Sequence, residues 1–264
     1  MEIVVLIKPV PEAEARLRPD RSGAELDPEG VKFVLAGYDE SAVEQALLMK
    51  ESVPSTTIRA VSMGPLVRAE EVLRAALALG VDHATSVEEP AGVAHDPVRV
   101  ARVLASVVAR YPYALVIAGK QSLDEGSGCV PSAVAECLGI ADFGSVVDLK
   151  WDPAAAQFTF RLSLERTLVS VATPPPVMIG LQQAWNDPRT AKLPMILRSR
   201  KTPIERISRA EVDAVLTRSS RTAVRSVSFR LPAPRTGARM IEYTSPEEAA
   251  QKLVRLLSEE AKVL

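Results

Sequence analysis

The stretch Gly119-Lys120-Gln121-Ser122-Leu123-Asp124-Glu125-Gly126-Ser127-Gly128-Cys129-Val130-Pro131 carries the residue types best suited to chemistry. It follows a buried apolar run, Ala114 to Ala118, and leads into a helical pattern over roughly Val130 to Leu138. Glycines let main-chain N–H groups turn toward one point, and a helix begun there aims its positive end at the same point, which makes an anion trap. Phosphate is the natural guest. The dinucleotide fingerprint G-x-G-x-x-G is only partly matched, because Pro131 stands where its third glycine would be and the loop follows a late strand. The competing reading is an ordinary polar turn in which Asp124 and Glu125 are solvated loop acids. On the binding reading they position backbone or ribose contacts, since two carboxylates beside a phosphate would otherwise repel it.

Two further segments reach the same sheet edge if the chain folds as its pattern suggests. They are Lys8-Pro9 with Ala36-Gly37-Tyr38-Asp39, and Ser62-Met63-Gly64. Loops that converge in this way make a pocket for an adenosine group. Tyr38, in a chain with 4% aromatics, is either a contact for a flat ring or a partly exposed tyrosine beside a helix cap. A separate stretch, Asn186 to Lys201, sets Leu193, Met195, Ile196 and Leu197 among prolines and basic residues. It reads as a docking element or as a clamp onto the chain's own core; a leucine that finds a pocket gains about 1.5–3 kcal/mol.

Other chemistry finds no apparatus. His83 and His95 lie far apart with no cysteine or carboxylate at ligand spacing, so no metal site is expected. There is no G-x-S-x-G elbow, no H-E-x-x-H, and no phosphate loop, because Gly119-Lys120 continues with Gln121.

The elements that must position these residues alternate between short β-rich runs and helical patterns, the signature of crossover units feeding a parallel sheet. Ile3 to Ile7 is continuously apolar and reads as the central strand. A helix opens at Asp39 to Glu44, capped by Asp39 or Ser41, with Ser41 and Glu44 at capping-box spacing. Thr57 to Met63 is the next strand, and Val67 to Leu79 the next helix, closed by Gly80. Asp96-Pro97 marks a further helix start, with Leu104, Val107 and Val108 on its inner face. After Gly139 the period shortens to two: Val146 to Lys150 and Phe158 to Ala172 read as antiparallel strands or a hairpin, and Val177 to Leu181 as a return strand. From Gln182 to about Ser245 periodic signal is poor and packing into a core of its own is not expected. Ser245-Pro246-Glu247-Glu248 then caps an amphipathic helix that needs a surface to dock on. The division this suggests is a nucleotide-binding α/β domain over 1–184, and a docking loop with a C-terminal arm and helix over 185–264.

The 264 residues are 47% apolar and 25% charged with net charge −1, which excludes disorder and argues against nucleic acid as a partner. No apolar run approaches the ~20 residues that cross a bilayer. Two cysteines, Cys129 and Cys137, build no framework, about 12 Å apart if they share a helix. The expectation is a reduced, cytoplasmic protein.

Taken together the chain resembles the beta subunit of electron transfer flavoprotein. The resemblance runs nearly end to end: the opening strand ending in Lys8, Val31-Lys32-Phe33 leading to Tyr38-Asp39-Glu40 and Ala42-Val43-Glu44, Val61-Ser62-Met63-Gly64-Pro65, Leu73 to Gly80, Gly119-Lys120-Gln121 with Asp124, and Leu193-Pro194 followed by basic residues. It implies an α/β fold with a doubly wound, mostly parallel sheet of the adenine-nucleotide alpha-hydrolase-like kind, an antiparallel addition and a C-terminal arm plus helix. It implies a heterodimer with an alpha subunit that holds most of one FAD, with Tyr38 of this chain near the flavin. The arm and last helix would embrace alpha. It further implies a structural AMP against Leu6, Ala36, Gly37, Tyr38, Asp39, Met63, and Gly119 through Val130. Lys192, Leu193, Pro194, Met195 and Ile196 would anchor partner dehydrogenases, such as acyl-CoA dehydrogenases of fatty acid beta-oxidation, and electrons would pass to a membrane quinone oxidoreductase. Such a subunit is an electron carrier with no reaction of its own.

Two departures bear on this. Val130 stands where common members place a threonine near the phosphate, leaving main-chain N–H groups to do that work; it resembles instead the bifurcating branch, in which a second FAD occupies the cavity. Ala13 replaces an aromatic that some members place near the flavin. A nucleotide-binding sensor of the stress-protein type shares the sheet but needs neither the arm nor the basic Leu-Pro segment. A nucleotide-consuming enzyme would need a phosphate-cleaving motif.

Overall fold

A computed structural model describes residues 1–23, 25–89, 96–182, 187–217, 228–233 and 237–264. It falls into two compact units, Met1–Phe229 and Arg230–Leu264. His95 and Asn186 lie outside the described residues.

The first unit is built on a nine-stranded sheet. In chain order its strands are β1 (Glu2–Ile7), β4 (Thr57–Gly64), β5 (His83–Glu88), β6 (Leu115–Gly119), β7 (Ala141–Asp152), β8 (Gln157–Leu164), β9 (Thr167–Thr173), β10 (Val177–Leu181) and β11 (Glu205–Ile207); β2 (Pro9–Pro11) and β3 (Phe33–Leu35) form a separate antiparallel pair. Spatially the order is β11-β5-β4-β1-β6-β10-β7-β8-β9, parallel through β7, with β8 and β9 antiparallel beyond it. This is the doubly wound, mostly parallel α/β sheet with an antiparallel addition.

Why these runs became inner strands follows from the pleat. Ile3, Val5 and Ile7 enter the core on one face of the sheet while Val4 and Leu6 enter that on the other, so an uninterrupted apolar run is needed. Helices α1 (Gly37–Ser52) and α2 (Leu66–Leu79) cover the first face; α3 (Pro97–Val108), α4 (Val130–Leu138) and α6 (Arg209–Thr217) cover the second. Gly80, at φ +124°, ends α2, and Asp96 caps α3 by accepting from the amides of Val98 and Arg99.

The structure departs from the sequence expectations in four places. Neither Asp39 nor Ser41 caps α1, which begins at Gly37 with Ala36 as a cap that makes no side-chain bond; the Asp39 carboxylate is taken by amides of two strand ends, and Ser41 Oγ donates to Gly37 O. Strand β7 is longer than its alternating core suggests: Ala141 to Val146 pairs in parallel with β10 before the hairpin with β8 begins. The stretch after Gln182 carries elements the sequence did not signal, α5 (Leu193–Lys201), β11 and α6, of nine, three and nine residues and too short to print a period; they pack on α2, β5 and α3 rather than into a core of their own. The Leu193-Pro194 segment is accordingly the first turn of a helix, where proline's missing N–H costs nothing.

In the second unit, α7 (Pro246–Arg255) starts as its sequence foretells: Ser245 Oγ accepts from Glu248 N, and the Glu248 carboxylate accepts from Thr244 N and Oγ1. None of its residues is buried. Among the described residues no helix is long and apolar enough to cross a membrane. Cys129 and Cys137 are free and exposed.

Candidate functional site

A cavity opens at the carboxyl ends of β1, β4 and β6, where an open wound sheet binds ligands. Its apolar wall is Leu6 and Ile7 of β1, Met63 of β4, Ala118 of β6 and Pro97, Val100 and Leu104 of α3. Its polar rim is Gln121, Ser122, Glu125, Ser127 and Gly128, closed by Val130 and Pro131 at the start of α4. An apolar slot beside a glycine-bearing rim suits a flat heterocycle joined to an anion.

Backbone geometry makes that rim. Gly126 and Gly128 sit at φ +64° and +63°, where L side chains are strained, and they turn the chain back toward the cavity. Cys129, preceding α4, makes no side-chain cap bond to the first-turn amides; its Sγ donates to Ser127 O instead. An anion at the rim would meet those amides and the positive end of a nine-residue helix.

Gly119 is the pivot. A Cβ there would lie 2.6 Å from Asp39 Oδ1 and 2.7 Å from Tyr38 Cβ, so the start of α1 presses against the end of β6 closer than any other residue permits. Asp39 fills the remaining space: Oδ2 accepts from Lys8 N at 2.7 Å and Oδ1 from Gly119 N at 3.3 Å. One carboxylate thus ties β1, β6 and α1 together at the cavity. Its 6% exposure pushes the carboxyl up to about 7, against the two amides and the Lys8 charge, which favour the anion, and in concert with the Asp124 charge, which does not.

The two loop acids have a partner. Lys8 Nζ lies 2.9 Å from Asp124 Oδ1 and 3.2 Å from Glu125 Oε2. Burial raises the Asp124 carboxyl, but the Lys8 charge and hydrogen bonds from Ser122, Lys8 and Glu125 N outweigh it and hold the group below its usual range. One of the two negative charges these acids would set beside a phosphate is therefore offset by a cation from β1's end.

A pH dependence follows from Asp39. Its folded value of about 7 lies above the ordinary 3.8, so the folded chain holds the extra proton between those limits. The Asp39 contribution to stability is greatest below about pH 4, falls as pH rises toward 7, and is flat above, a total loss on the order of 4 kcal/mol. Glu44 and Asp124, both lowered, act only at the acid end, where their contributions disappear. Asp39→Asn should flatten the midpoint of thermal unfolding between about pH 4 and 7, the window in which the Asp39 contribution of the unaltered chain is lost; equal slopes for both would contradict the assignment.

Of the residues singled out from sequence, Leu6, Asp39, Met63, Gly119, Gln121, Ser122, Glu125, Ser127, Gly128 and Val130 line this cavity. Half-buried Tyr38 stands against Gly119, while buried Ala36 precedes α1 and exposed Gly37 begins it; none of the three lines the cavity. Lys120 lines a separate groove with Ser145, Gln182 and the β8–β9 turn, while Leu123, Gly126 and Cys129 are exposed and Asp124 is engaged by Lys8. Ile7, Ala118, Glu89 and the α3 residues Pro97, Val100 and Leu104 were not anticipated; the Asp96-Pro97 cap was the available signal, since it sets α3's first turn beside the sheet edge. Glu89 is buried, with Oε1 3.3 Å from Arg99 Nη1. His83 is exposed at the start of β5, and no group of three or more metal-ligating side chains forms among the described residues.

The docking candidates fall elsewhere in the first unit. Lys192, Leu193 and Pro194 are exposed at the start of α5, with Met195 and Ile196 half-buried behind them.

The electron transfer flavoprotein domain family matches residues 25–212. The chain is 34% identical over 242 residues to the electron transfer flavoprotein subunit beta of Sus scrofa, covering 90% of each. It is 32% identical over 259 residues to that of Homo sapiens, covering 96% of each, and 28% identical over 270 residues to that of Bacillus subtilis (strain 168), covering both throughout.

Proposed function

The chain belongs to the electron transfer flavoprotein family as a beta subunit, and from that membership we propose that it joins an alpha subunit to shuttle electrons from primary dehydrogenases to a membrane quinone oxidoreductase. FAD, held mainly by alpha, supplies the electron-carrying chemistry when bound. This chain's share is to bind, orient and shield.

The observation that carries the reading is the cavity at Gly119. Its apolar wall, from Leu6, Met63, Val100, Leu104 and Ala118, suits an adenine ring; its rim, from Ser127 to the first turn of α4, suits a phosphate met by main-chain amides. The donor set therefore fits AMP bound structurally. Lys8 offsets one of the two acid charges of the loop that would oppose it. Tyr38, whose Cβ lies against Gly119, is the residue offered to the flavin. The labour divides near residue 184: the strands and loops before it line the cavity and hold the nucleotide, while the Leu193 helix and the arm with α7 serve partners. Exposed Leu253 and Val254 of α7 are the apolar groups that alpha would cover.

Coexpression with an alpha chain, followed by extraction and chromatography of bound nucleotides, tests this. One FAD and one AMP per complex is the expected yield. Two FADs would move the chain to the bifurcating branch, for which Val130 speaks, because it puts no hydroxyl at the rim. ATP held without any partner would make it a sensor and end the present reading.

A further inference from the structure

Helix α5 is about two and a half turns long, too short to persist in water on its own propensity. Charged contacts hold it at both ends. Ahead of it, Arg189 closes on α1: Nε donates to Glu44 Oε2 and Nη2 to Glu44 Oε1, each at 2.8 Å, Nη1 donates to Glu51 Oε1 at 2.8 Å, and the main-chain N of Arg189 donates to Glu44 Oε2 at 3.1 Å. Behind it, Arg74 Nη1 of α2 donates to the carbonyls of Ser199 and Thr202, placing a cation at the negative end of the helix. Ser199 is buried between these anchors, so what α5 turns outward is Leu193 and Leu197, 68% and 52% exposed and one turn apart.

We infer that Arg189 is a positioning residue for partner docking: by gripping Glu44 and Glu51 it fixes the start of α5, so that Leu193 is presented to a dehydrogenase in one place. This rests on the reading of Leu193 as the docking side chain. Residue 189 is four positions ahead of Leu193, and a planar guanidinium that meets one carboxylate with two parallel bonds fixes direction as well as distance. Lysine keeps the charge but cannot make the fork. Glu44 suits the part of acceptor: it is buried, and although burial raises its carboxyl, the Arg189 contacts hold it below the ordinary range. An apolar anchor held in its bound position loses less freedom on docking, so the clamp should show in affinity for the partner and leave the rate of transfer within the docked pair alone.

The test uses the intact complex with alpha. Arg189→Gln and Arg189→Lys should each raise the KM for the reduced dehydrogenase, roughly tenfold for glutamine and less for lysine, with kcat kept. Hydrogen exchange should quicken in residues 190–201 and stay as it was in α3 and α4. On a Leu193→Ala background the Arg189 changes should add almost nothing, because the two act in series. Unaltered exchange at α5, or effects that add in full, would overturn the inference. A Leu193→Ala complex with ordinary KM would instead sink the docking reading on which it stands, and the exchange data would still judge the clamp. If Arg189→Gln does not assemble, Arg189→Lys answers the same questions.

Discussion

Gly119→Ala is expected to abolish nucleotide retention and to destabilise the subunit by about 3 kcal/mol or more, at the upper end of what overpacking costs. The methyl group would sit 2.6 Å from Asp39 Oδ1 and 2.7 Å from Tyr38 Cβ, distances that real Cβ atoms do not tolerate. Relief requires α1 to back away from β6, because the atoms in the way belong to a buried carboxylate and to the root of a tyrosine beside the main chain. Either movement breaks the bond from Gly119 N to Asp39 and displaces the strand end from which the Gly119 loop departs. The complex should purify with little or no AMP, and the first unit should unfold at lower temperature. Gly180→Ala is the control: its Cβ would meet Gly144 Cα at 3.5 Å and Lys120 Cα at 3.6 Å, ordinary contact, so nucleotide should be kept. Equal retention by the two variants would remove Gly119 from its place at the pivot.

Leu193→Ala should lower kcat/KM for electron uptake from a partner dehydrogenase by between about tenfold and a hundredfold, because a leucine that goes from exposed to buried carries ~1.5–3 kcal/mol. Flavin and AMP contents should not change, since Leu193 lies outside the cavity and touches none of its walls. Exposed Lys192, Arg198 and Lys201 flank the leucine, so the encounter should also slow as salt rises, by an amount the alanine variant shares. Uptake at the original rate by the alanine variant would show that α5 docks nothing through this residue.

How much of this could be read beforehand depends on the scale of the signal. The strands β1, β6 and β10 were legible because a strand buried on both faces is a nearly unbroken apolar run, and the helix starts at Asp96-Pro97 and Ser245-Pro246 because caps are local chemistry. Asp39 misled for the converse reason. A carboxylate at a helix start looks like a cap, but here its bonds go to Lys8, 31 residues earlier, and to Gly119, 80 later, and spacing along a chain carries no record of such partners. The same holds for Lys8, which neutralises Asp124 across 116 residues. The cavity's floor was visible in outline from the strand ends, whereas its α3 wall, from Pro97 to Leu104, depended on how one helix leans over the sheet. Of the two readings of the Leu193 segment, the structure bears on the clamp: Ser199 is buried, while Leu193 and Leu197 on the same helix stay exposed and are the side chains proposed for docking.

The turn beginning at Gly119 is proposed to hold a nucleotide phosphate with main-chain amides, the subunit itself carrying out no reaction. Electron density for the alpha–beta complex at this turn decides it most directly. The expected density is an adenine nucleotide with its ring against Leu6, Met63 and Leu104 and its phosphate within hydrogen-bond reach of amides between Gly128 and Ser132. A turn closed on itself with no nucleotide, in a complex whose alpha subunit has its FAD, would contradict it.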